Sequence, residues 1–426
     1  MKKIIQYIGS KEKLLDFLDE VIFSKYEKED SKINFYDLFS GTNVVSNYTK
    51  ETTKWNIKSN DFSNYSKILF SLIFFDMLSK KEIEEIKEKL EILDKLDLKD
   101  KGFVFNELSV NGNVKTIEDQ EKTFGNQKYK SRMFFSEKVG KKIDTIKDKI
   151  KEWKDNNEFG SEKIEDILMT FLVNYADKNS NTTSVYGAYL KTTNKLEKET
   201  PFLNNKLLQL LEYKGTEENK RREIKIINKD IINALEEYKK ETTQIKKNII
   251  YLDPPYSTRT YESNYHILNY IVDLNITYKS IKYNSKTAQS ADEIRIKNPF
   301  SSKRKTYGIF KEMIKKSLEM ADNLYISYNT DGLIKQNEIE EILNELNDKD
   351  IKLKTYKKSY KRFKSANSET KKLKEELNKL KHIKDKTSED KLKLQKLENE
   401  IKNKEAEKDK KNLEEIIWHF SRVKND

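Results

Sequence analysis

The amino-acid sequence predicts an α/β fold, in which buried strands alternate with helices around a sheet. Short apolar strands are predicted at residues 33–39, 54–58, 248–252 and 323–328. Helical patterns follow from residue 44, at 68–78 and at 337–346. The chain also carries 20 Phe and 23 Tyr, so a sizeable core can form although 37% of its residues are charged.

The first hundred residues form the first part of this sheet domain. An amphipathic helix is predicted over 10–22, with Ser10 as its N-cap and leucines on one face. The strand at 33–39 breaks at the turn of residues 40–43, and a helix starts from Val44. The strand at 54–58 stops at Asn60 and Asp61, before the apolar helix at 68–78.

The regular pattern is interrupted between residues 101 and 245, where polar stretches alternate with helices at 140–153 and 164–175. This range is interpreted as an inserted, mainly helical lobe. The sheet domain resumes over 246–364, with strands at 248–252 and 323–328, a helix at 337–346 and a strand near 353–363. The sheet is therefore split in sequence.

A highly charged segment, residues 365–413, precedes a final strand within 414–426. Between residues 371 and 410 there are 14 basic and 10 acidic side chains, so this segment must be solvated. Leucine and isoleucine side chains nevertheless recur at spacings of three and four on either side of residues 386–389, where Thr387 or Ser388 can cap a helix. An antiparallel helical hairpin, inserted between two neighbouring strands, is the best interpretation.

Composition excludes several classes of protein and site. The chain has no cysteine and three histidines, which excludes a catalytic thiol and makes a metal centre an unfavourable prediction. The longest apolar run, 68–78, is too short to span a bilayer, and the N-terminal segment is interrupted before a signal-peptide core accumulates, so a cytoplasmic protein is expected. A net charge of +12 suits a polyanionic partner, with nucleic acid foremost.

The sharpest motif is Asp253-Pro254-Pro255-Tyr256, which follows the buried strand directly. Two of the four prolines of the chain lie here, and they hold the Asp253 carboxylate and the Pro254 carbonyl rigidly at the carboxyl edge of the sheet, where open α/β sheets bind ligands. An exocyclic aromatic amine is a poor nucleophile. Two fixed acceptors can bind both its hydrogens and stabilise the positive charge that develops on attack, while Tyr256 offers a face for a planar base.

Together with two further motifs, this tetrapeptide resembles the Dam-like DNA adenine-N6 methyltransferases of type II restriction-modification systems. The N-terminal motif is Tyr7-Ile8-Gly9-Ser10-Lys11 and the turn motif is Asp37-Leu38-Phe39-Ser40-Gly41-Thr42, with Asn43 where the family commonly has a second glycine. The resemblance implies a Rossmann-like sheet and S-adenosylmethionine as cofactor. It also implies a set of cofactor-binding residues, namely Tyr7, Ile8, Gly9, Ser10, Lys11, Asp37, Phe39, Ser40, Gly41, Thr42, Asp61 and Asp253.

In this resemblance Asp61 receives the ribose hydroxyls, with a helix N-cap as the alternative. Segments 183–191, 261–266 and 326–333 are similar to segments of a subgroup of these enzymes. Lys191, Arg259 and His266 are DNA-binding candidates, although a solvated charge at Arg259 and a structural histidine at His266 are open alternatives. Recognition of the DNA sequence is expected in the inserted lobe, helped by the polar stretch 277–305.

The expected partners are double-stranded DNA, a cognate restriction endonuclease and a second copy of the chain joined through 365–413. Two other functions stay open. One is methylation of RNA or of a glutamine amide, whose enzymes commonly carry Asn-Pro-Pro-Tyr in place of Asp253-Pro254-Pro255-Tyr256. The other is a catalytically idle DNA-binding scaffold, which would not retain S-adenosylmethionine.

Overall fold

The computed structural model describes residues 4–5, 7, 9–26, 33–112, 132–183, 185–212, 222–241, 246–256, 261–277, 299–300, 302–360, 373, 376–378, 380–381, 387, 390, 393–401 and 413–422. Within these ranges seven strands form one sheet, in the order β3-β2-β1-β4-β5-β7-β6. The pairs among β1 to β5 are parallel, whereas β7 runs antiparallel to both of its neighbours. In chain order the strands are β1 Ile33–Asp37, β2 Asn56–Asn60, β3 Ile224–Ile227, β4 Lys247–Leu252, β5 Asn323–Asn329, β6 Ile351–Tyr360 and β7 Leu413–Arg422.

The α-helices of the described residues are α1 Leu15–Val21, α2 Val44–Thr52, α3 Asn64–Phe70, α4 Lys80–Asp94, α5 Phe103–Leu108, α6 Glu137–Asp155, α7 Glu162–Lys178, α8 Asn205–Leu208, α9 Ile231–Glu241, α10 Tyr261–Val272, α11 Lys303–Leu318 and α12 Gln336–Leu346. Short 3-10 helices cover Lys11–Leu14, Ser71–Met77, Asn194–Glu197 and Gln209–Leu211. The α/β prediction is therefore confirmed. The predicted helix at 10–22 is a 3-10 turn followed by α1, and the predicted helix at 68–78 is the end of α3 followed by a 3-10 helix.

Helices cover both faces of the sheet. On one face, side chains of β1, β4 and β5 pack against α9, α11 and α12, with Tyr36, Ile250 and Leu324 fully buried. On the other face, Phe35 and Ile249 pack with α1 and with Trp55. Because β1 is buried on both faces, all five of its residues are buried, which is typical of a central parallel strand.

A ladder of buried asparagines fixes the register of three central strands. Asn34 of β1 donates its side-chain N–H to Asn248 Oδ1 of β4 at 3.0 Å, and Asn56 of β2 donates to Asn34 Oδ1 at 2.8 Å. A one-residue slip of any strand would leave these buried amides without partners, which costs about 1–3 kcal/mol for each group. The ladder thus favours the register that brings the carboxyl ends of the strands level.

The inserted lobe differs in its limits from the sequence prediction of 101–245. Its helical core already includes residues of α3 and α4, such as Leu69 and Ile86, packed against α5, α6, α7 and α10. At the other limit, β3 pairs with β2 in the main sheet and α9 packs on that sheet, so residues 224–241 belong to the sheet domain. The prediction missed β3 because it has only four residues, one of them a lysine.

In the predicted hairpin, the described residues on either side of residue 387 are helical and are joined by the ion pairs Lys381–Glu398 at 2.9 Å and Glu376–Lys393 at 3.0 Å. Thr387 caps the second helical segment, since its Oγ1 accepts the Asp390 N–H at 3.1 Å, as predicted. The antiparallel arrangement stays a prediction. No helix in the part of the chain that the structure describes has the length and apolarity to cross a membrane.

Candidate active site

Three carboxylates meet at the carboxyl edge of the sheet. Asp37 is the last residue of β1, Asp61 follows β2 directly, and Asp253 follows β4 directly. Because β2, β1 and β4 are adjacent and parallel, with Asp37 opposite Ser59 and Tyr251, these strand ends lie side by side. β2 ends two residues later than predicted, and this places Asp61 at the strand end.

These side chains line a cavity of about 290 Å³, which we call the edge pocket. The N-terminal segment closes one side of it through Tyr7, whose ring stacks on Tyr265 of α10 at 4.7 Å. Most of the predicted cofactor-binding residues line the edge pocket, whereas Ile8 lies outside the described residues. The pocket is lined by Tyr7, Gly9, Ser10, Lys11, Asp37, Leu38, Phe39, Ser40, Gly41, Thr42, Val44, Val45, Asn60, Asp61, Phe62, Ser63, Lys229, Asp230, Ile231, Tyr251, Asp253, Pro255, Pro299, Phe300 and Ile309.

The turn between β1 and α2 is held by Asp61. Its Oδ2 accepts the Gly41 N–H and its Oδ1 accepts the Ser63 N–H, each at 2.8 Å. Gly41 has φ +51°, a conformation that favours glycine, and a Cβ there would lie 3.3 Å from the Tyr7 hydroxyl oxygen, so a larger residue would be strained and crowded. Asn43 adopts the left-handed conformation with φ 59°. Asparagine tolerates this conformation better than most residues other than glycine.

Asp61 is not the N-cap of the following helix, because α3 begins after Ser63. The alternative interpretation of Asp61 as a simple helix cap is therefore wrong. Its carboxylate instead ties the turn after β1 to the end of β2, at the wall of the edge pocket. Each carboxylate oxygen can accept more than one hydrogen bond, so this geometry is compatible with further donors from a ligand.

Asp37 lines the edge pocket and has one buried carboxylate oxygen without a hydrogen-bond partner among the described residues. Its Oδ2 accepts the Ser46 N–H at 3.1 Å and the Ser46 hydroxyl at 2.7 Å, while among the described residues Oδ1 has no hydrogen-bond partner. Burial, together with the charges of Asp253 and Asp61, raises the pKa of Asp37 to about 7, although the hydrogen bonds from Ser46 lower it. A cationic ligand group would satisfy this oxygen and favour the ionised carboxylate.

The Asp253 carboxylate lies against Lys11. The distance from Lys11 Nζ to Asp253 Oδ1 is 2.9 Å, and the same nitrogen lies 2.8 Å from Glu415 Oε1 of β7. Burial raises the pKa of the Asp253 carboxyl above its ordinary value, while Lys11 lowers that pKa and the negative charge of Glu415 raises it. Glu415 is not predicted from the sequence as a site residue, because no local pattern links it to Lys11, which lies 404 residues away.

The remaining catalytic candidates surround Asp253. Pro254 is buried, whereas Pro255 lines the edge pocket. Tyr256 is half-buried and meets Tyr328 of β5 edge-on, with 6.4 Å between ring centroids. The Tyr328 ring in turn needs Gly332, because a Cβ at that glycine would lie 2.1 Å from a ring carbon. The segment 326–333 therefore supports the ring of Tyr256.

The three residues predicted to bind DNA differ in how accessible the structure shows them to be. Lys191 is exposed, and Arg259 lies outside the described residues. His266 is fully buried, with ring-centroid distances of 6.4 Å to Phe134 and 5.6 Å to Tyr270. The expectation of a phosphate contact at His266 is therefore wrong, because an imidazole in this position packs inside the helical lobe.

The segment 183–191 also has a structural position. The Tyr186 side chain is fully buried, its hydroxyl donates to Asp177 Oδ1 at 3.1 Å, and its N–H donates to the Asn264 carbonyl at 2.7 Å. It thereby ties the helical lobe to α10, which follows Asp253 in the chain.

Comparison with known proteins decides among the three functions that the sequence left open. The profile of the D12 class N6 adenine-specific DNA methyltransferases matches residues 7–342, more than three quarters of the chain. The chain belongs to this family. It is an adenine-specific DNA methyltransferase, its substrate is DNA, and its reaction requires a methyl donor. The residues that resembled this family therefore led to the right class, and the idle scaffold is not supported.

Several methyltransferases are similar to this chain over most of its length. The type II methyltransferase M.NlaIII of Neisseria lactamica is 28% identical over 373 residues, which cover 86% of this chain and 94% of that protein. The type II methyltransferase M.CviAII of Paramecium bursaria Chlorella virus 1 is 28% identical over 364 residues, covering 85% of this chain and 93% of that protein. The modification methylase StsI of Streptococcus sanguinis is 28% identical over 374 residues, which cover 86% of this chain but 50% of that protein.

Proposed function

We propose that the methyl donor is S-adenosylmethionine and that it binds in the edge pocket. The ionised Asp37 Oδ1 would accept its α-ammonium group, which satisfies the buried acceptor that has no partner among the described residues. Asp61 would accept the ribose hydroxyls, and Gly41 allows the backbone of the turn to approach the ligand closely. Phe39 and Phe62 add apolar walls, which suit the adenine ring of the cofactor.

The target is proposed to be an adenine flipped out of duplex DNA into the mouth of the edge pocket. When bound, the cofactor supplies an electrophilic methyl group. The Asp253 carboxylate and the Pro254 carbonyl accept the two hydrogens of the adenine amine, which makes its lone pair available and stabilises the positive charge that develops on nitrogen. Because Lys11 contacts Asp253 Oδ1, the second carboxylate oxygen is the candidate acceptor.

Tyr256 is the proposed stacking partner of the flipped base. Flipping costs a few kcal/mol of lost pairing and stacking, and stacking on an aromatic side chain returns about 1–3 kcal/mol. The ring of Tyr256 is held edge-on by Tyr328, so it does not have to be ordered at the moment of binding. Rigid Pro254 and Pro255 keep the distance between this ring and Asp253 constant.

Sequence-specific recognition is proposed for the helical lobe between β2 and β3, with lysine and arginine side chains on DNA phosphates and a few side chains on base edges. Exposed Lys191 is a candidate for a phosphate contact. The type II names of two relatives favour a role in a restriction-modification system, with a nuclease that acts on the same DNA sequence. Self-association through 365–413 and a cytoplasmic location stay predictions.

The observation that carries the proposal is the meeting of Asp37, Asp61 and Asp253 around one pocket. Its test is a transfer reaction with purified protein, duplex DNA and isotope-labelled S-adenosylmethionine, followed by analysis of the digested nucleosides. Label in N6-methyladenine is expected with the wild-type chain, and its loss with a folded Asp253→Ala variant. Label in cytosine, or an undiminished rate in the Asp253 variant, would contradict the proposal.

A further inference from the structure

The last strand brings a second carboxylate to the ammonium group of Lys11. Glu415 Oε1 lies 2.8 Å from Lys11 Nζ, and Asp253 Oδ1 lies 2.9 Å from the same nitrogen. The Ser327 hydroxyl of β5 donates a hydrogen bond to the same oxygen of Glu415. Glu415 is 2% exposed, so its charge faces the interior of the site rather than solvent. These four side chains come from four separate parts of the chain.

The cluster of Lys11, Asp253 and Glu415 contains one more negative than positive charge. Asp253 alone neutralises Lys11, so the second carboxylate leaves one net negative charge on these three side chains. Burying a carboxylate without full compensation is costly, and a stability role alone would be served as well by a neutral residue. The arrangement therefore favours a function for the charge of Glu415.

That function follows from the way Lys11 is shared. With two acceptors, the ammonium group withdraws less electron density from Asp253 than it would in an exclusive ion pair. Two contacts also fix the position of Nζ, and through it the orientation of the Asp253 carboxylate. An electron-rich, oriented carboxylate is what the adenine amine needs as positive charge develops on it.

We propose that Glu415 is a positioning residue of the methyl-transfer site, which holds Lys11 against Asp253 and supplies the negative charge that keeps Asp253 a strong acceptor. This inference deepens the proposed function and rests on the catalytic role of Asp253. Glu415 lies outside residues 7–342 that match the family profile, and in the chain it follows the charged segment 365–413. The strand after that segment is thus part of the catalytic unit.

The pH dependence of the reaction provides a readout that packing alone would not change. The Asp253 carboxyl faces Lys11 from the N-terminal segment, Glu415 from β7, Tyr251 from β4 and Asp37 from β1. Burial raises the pKa of Asp253, Lys11 lowers it, and the negative charge of Glu415 raises it. Removing that charge lowers the pKa, so the acidic limb of the pH–rate profile moves to lower pH.

The test compares Glu415→Gln with Glu414→Gln in single-turnover methylation of duplex DNA. Glutamine keeps the shape of the side chain and an acceptor oxygen for Lys11, but removes the charge. We expect the rate of Glu415→Gln to fall by about 10-fold or more, with affinities for S-adenosylmethionine and DNA within about twofold of wild type. Glu414 is the matched control, because successive side chains of a strand point to opposite faces and Glu414 is only half-buried. Its variant should keep the wild-type rate.

A double-mutant cycle with Lys11→Met shows whether Glu415 acts through Lys11. If it does, the double variant is no slower than Lys11→Met alone, whereas multiplied losses would overturn the proposal. A wild-type rate and pH profile for Glu415→Gln would also overturn it.

If Glu415→Gln does not fold, Glu415→Asp decides in its place, since it keeps the charge but shortens the reach to Lys11. A folded Asp variant that is slowed at unchanged affinity supports the proposal, and one with the wild-type rate overturns it. The Asp253→Ala variant distinguishes a failure of the role proposed for Glu415 from a failure of the proposed function. An inactive Asp253 variant beside a fully active Glu415 variant refutes only the role of Glu415, whereas an active Asp253 variant refutes the proposed function.

Discussion

Replacing Asp37 by Asn is expected to stabilise the free protein while weakening cofactor binding. The introduced amide can accept both hydrogen bonds from Ser46 through its oxygen, and its nitrogen takes the place of the Oδ1 that has no partner among the described residues. The substitution is nearly isosteric, so it removes a buried negative charge without creating a cavity. Asp37 is 1% exposed, so solvent does little to screen that charge.

The size of the effect follows from the pKa of Asp37, which burial raises from 3.8 to about 7. At 1.36 kcal/mol for each pKa unit, ionised Asp37 lowers the free energy of unfolding at pH 8 by up to about 4 kcal/mol. This cost is fully present above pH 7, shrinks as pH falls from 7 towards 3.8, and vanishes below. The stabilisation by Asp37→Asn should therefore be largest at about pH 8 and small near about pH 4.

Thermal unfolding of both proteins between about pH 5 and pH 8 measures the stability, and calorimetry with S-adenosylmethionine measures the affinity. Loss of a hydrogen bond between charged groups, worth about 1.5–3 kcal/mol, should weaken binding by about 10- to 100-fold. Asp230→Asn is the matched control, because Asp230 lines the same pocket but is exposed. A destabilised Asp37→Asn protein at the alkaline end of this range, or one with unchanged cofactor affinity, would refute the reasoning.

Three further predictions concern the pocket, the base and the charged segment. Asp61→Ala should weaken S-adenosylmethionine binding in calorimetry more than DNA binding, because it removes the acceptor of the Gly41 N–H as well as the proposed ribose contact; equal losses would contradict this. Tyr256→Ala should reduce the fluorescence change of 2-aminopurine at the target position, and a full change would exclude the stack. Replacing residues 361–412 by a short Gly-Ser turn should keep cofactor binding and single-turnover methylation within a few fold, because Tyr360 and Leu413 are already paired on neighbouring antiparallel strands. Loss of cofactor binding in a folded deletion variant would place the segment in the catalytic unit.

The site could be predicted from the sequence as far as the ends of parallel strands determine it. Buried strands with little polar interruption, such as β1 and β4, are visible in a single sequence. Asp37 ends β1 and Asp253 directly follows β4, and the two residues meet because these strands are adjacent and parallel. The partner of Asp37 could not be predicted, because Ser46 approaches it only through the conformation of the turn at Gly41 and Asn43.

The features that could not be predicted correctly from the sequence also have physical explanations. β3 is not predicted because an edge strand of four residues carries little periodicity, although Ile224-Lys225-Ile226-Ile227 before the amphipathic helix α9 is a usable signal. The phosphate contact expected at His266 failed because burial of a single histidine on a helix depends on tertiary packing. Glu415 lies in the final strand predicted within 414–426, and its ion pair could not be predicted because Lys11 is near the other end of the chain.

The most direct test of the central claim is a map of modified bases in DNA from cells that express this chain. With the wild-type chain, we predict N6-methyladenine at nearly every copy of one short sequence, and with Asp253→Ala at none of them, at equal protein levels. Methylation without a sequence preference would contradict the proposed recognition by the helical lobe. The same methylation pattern from the wild-type chain and the Asp253→Ala variant would contradict the claim that methyl transfer requires Asp253.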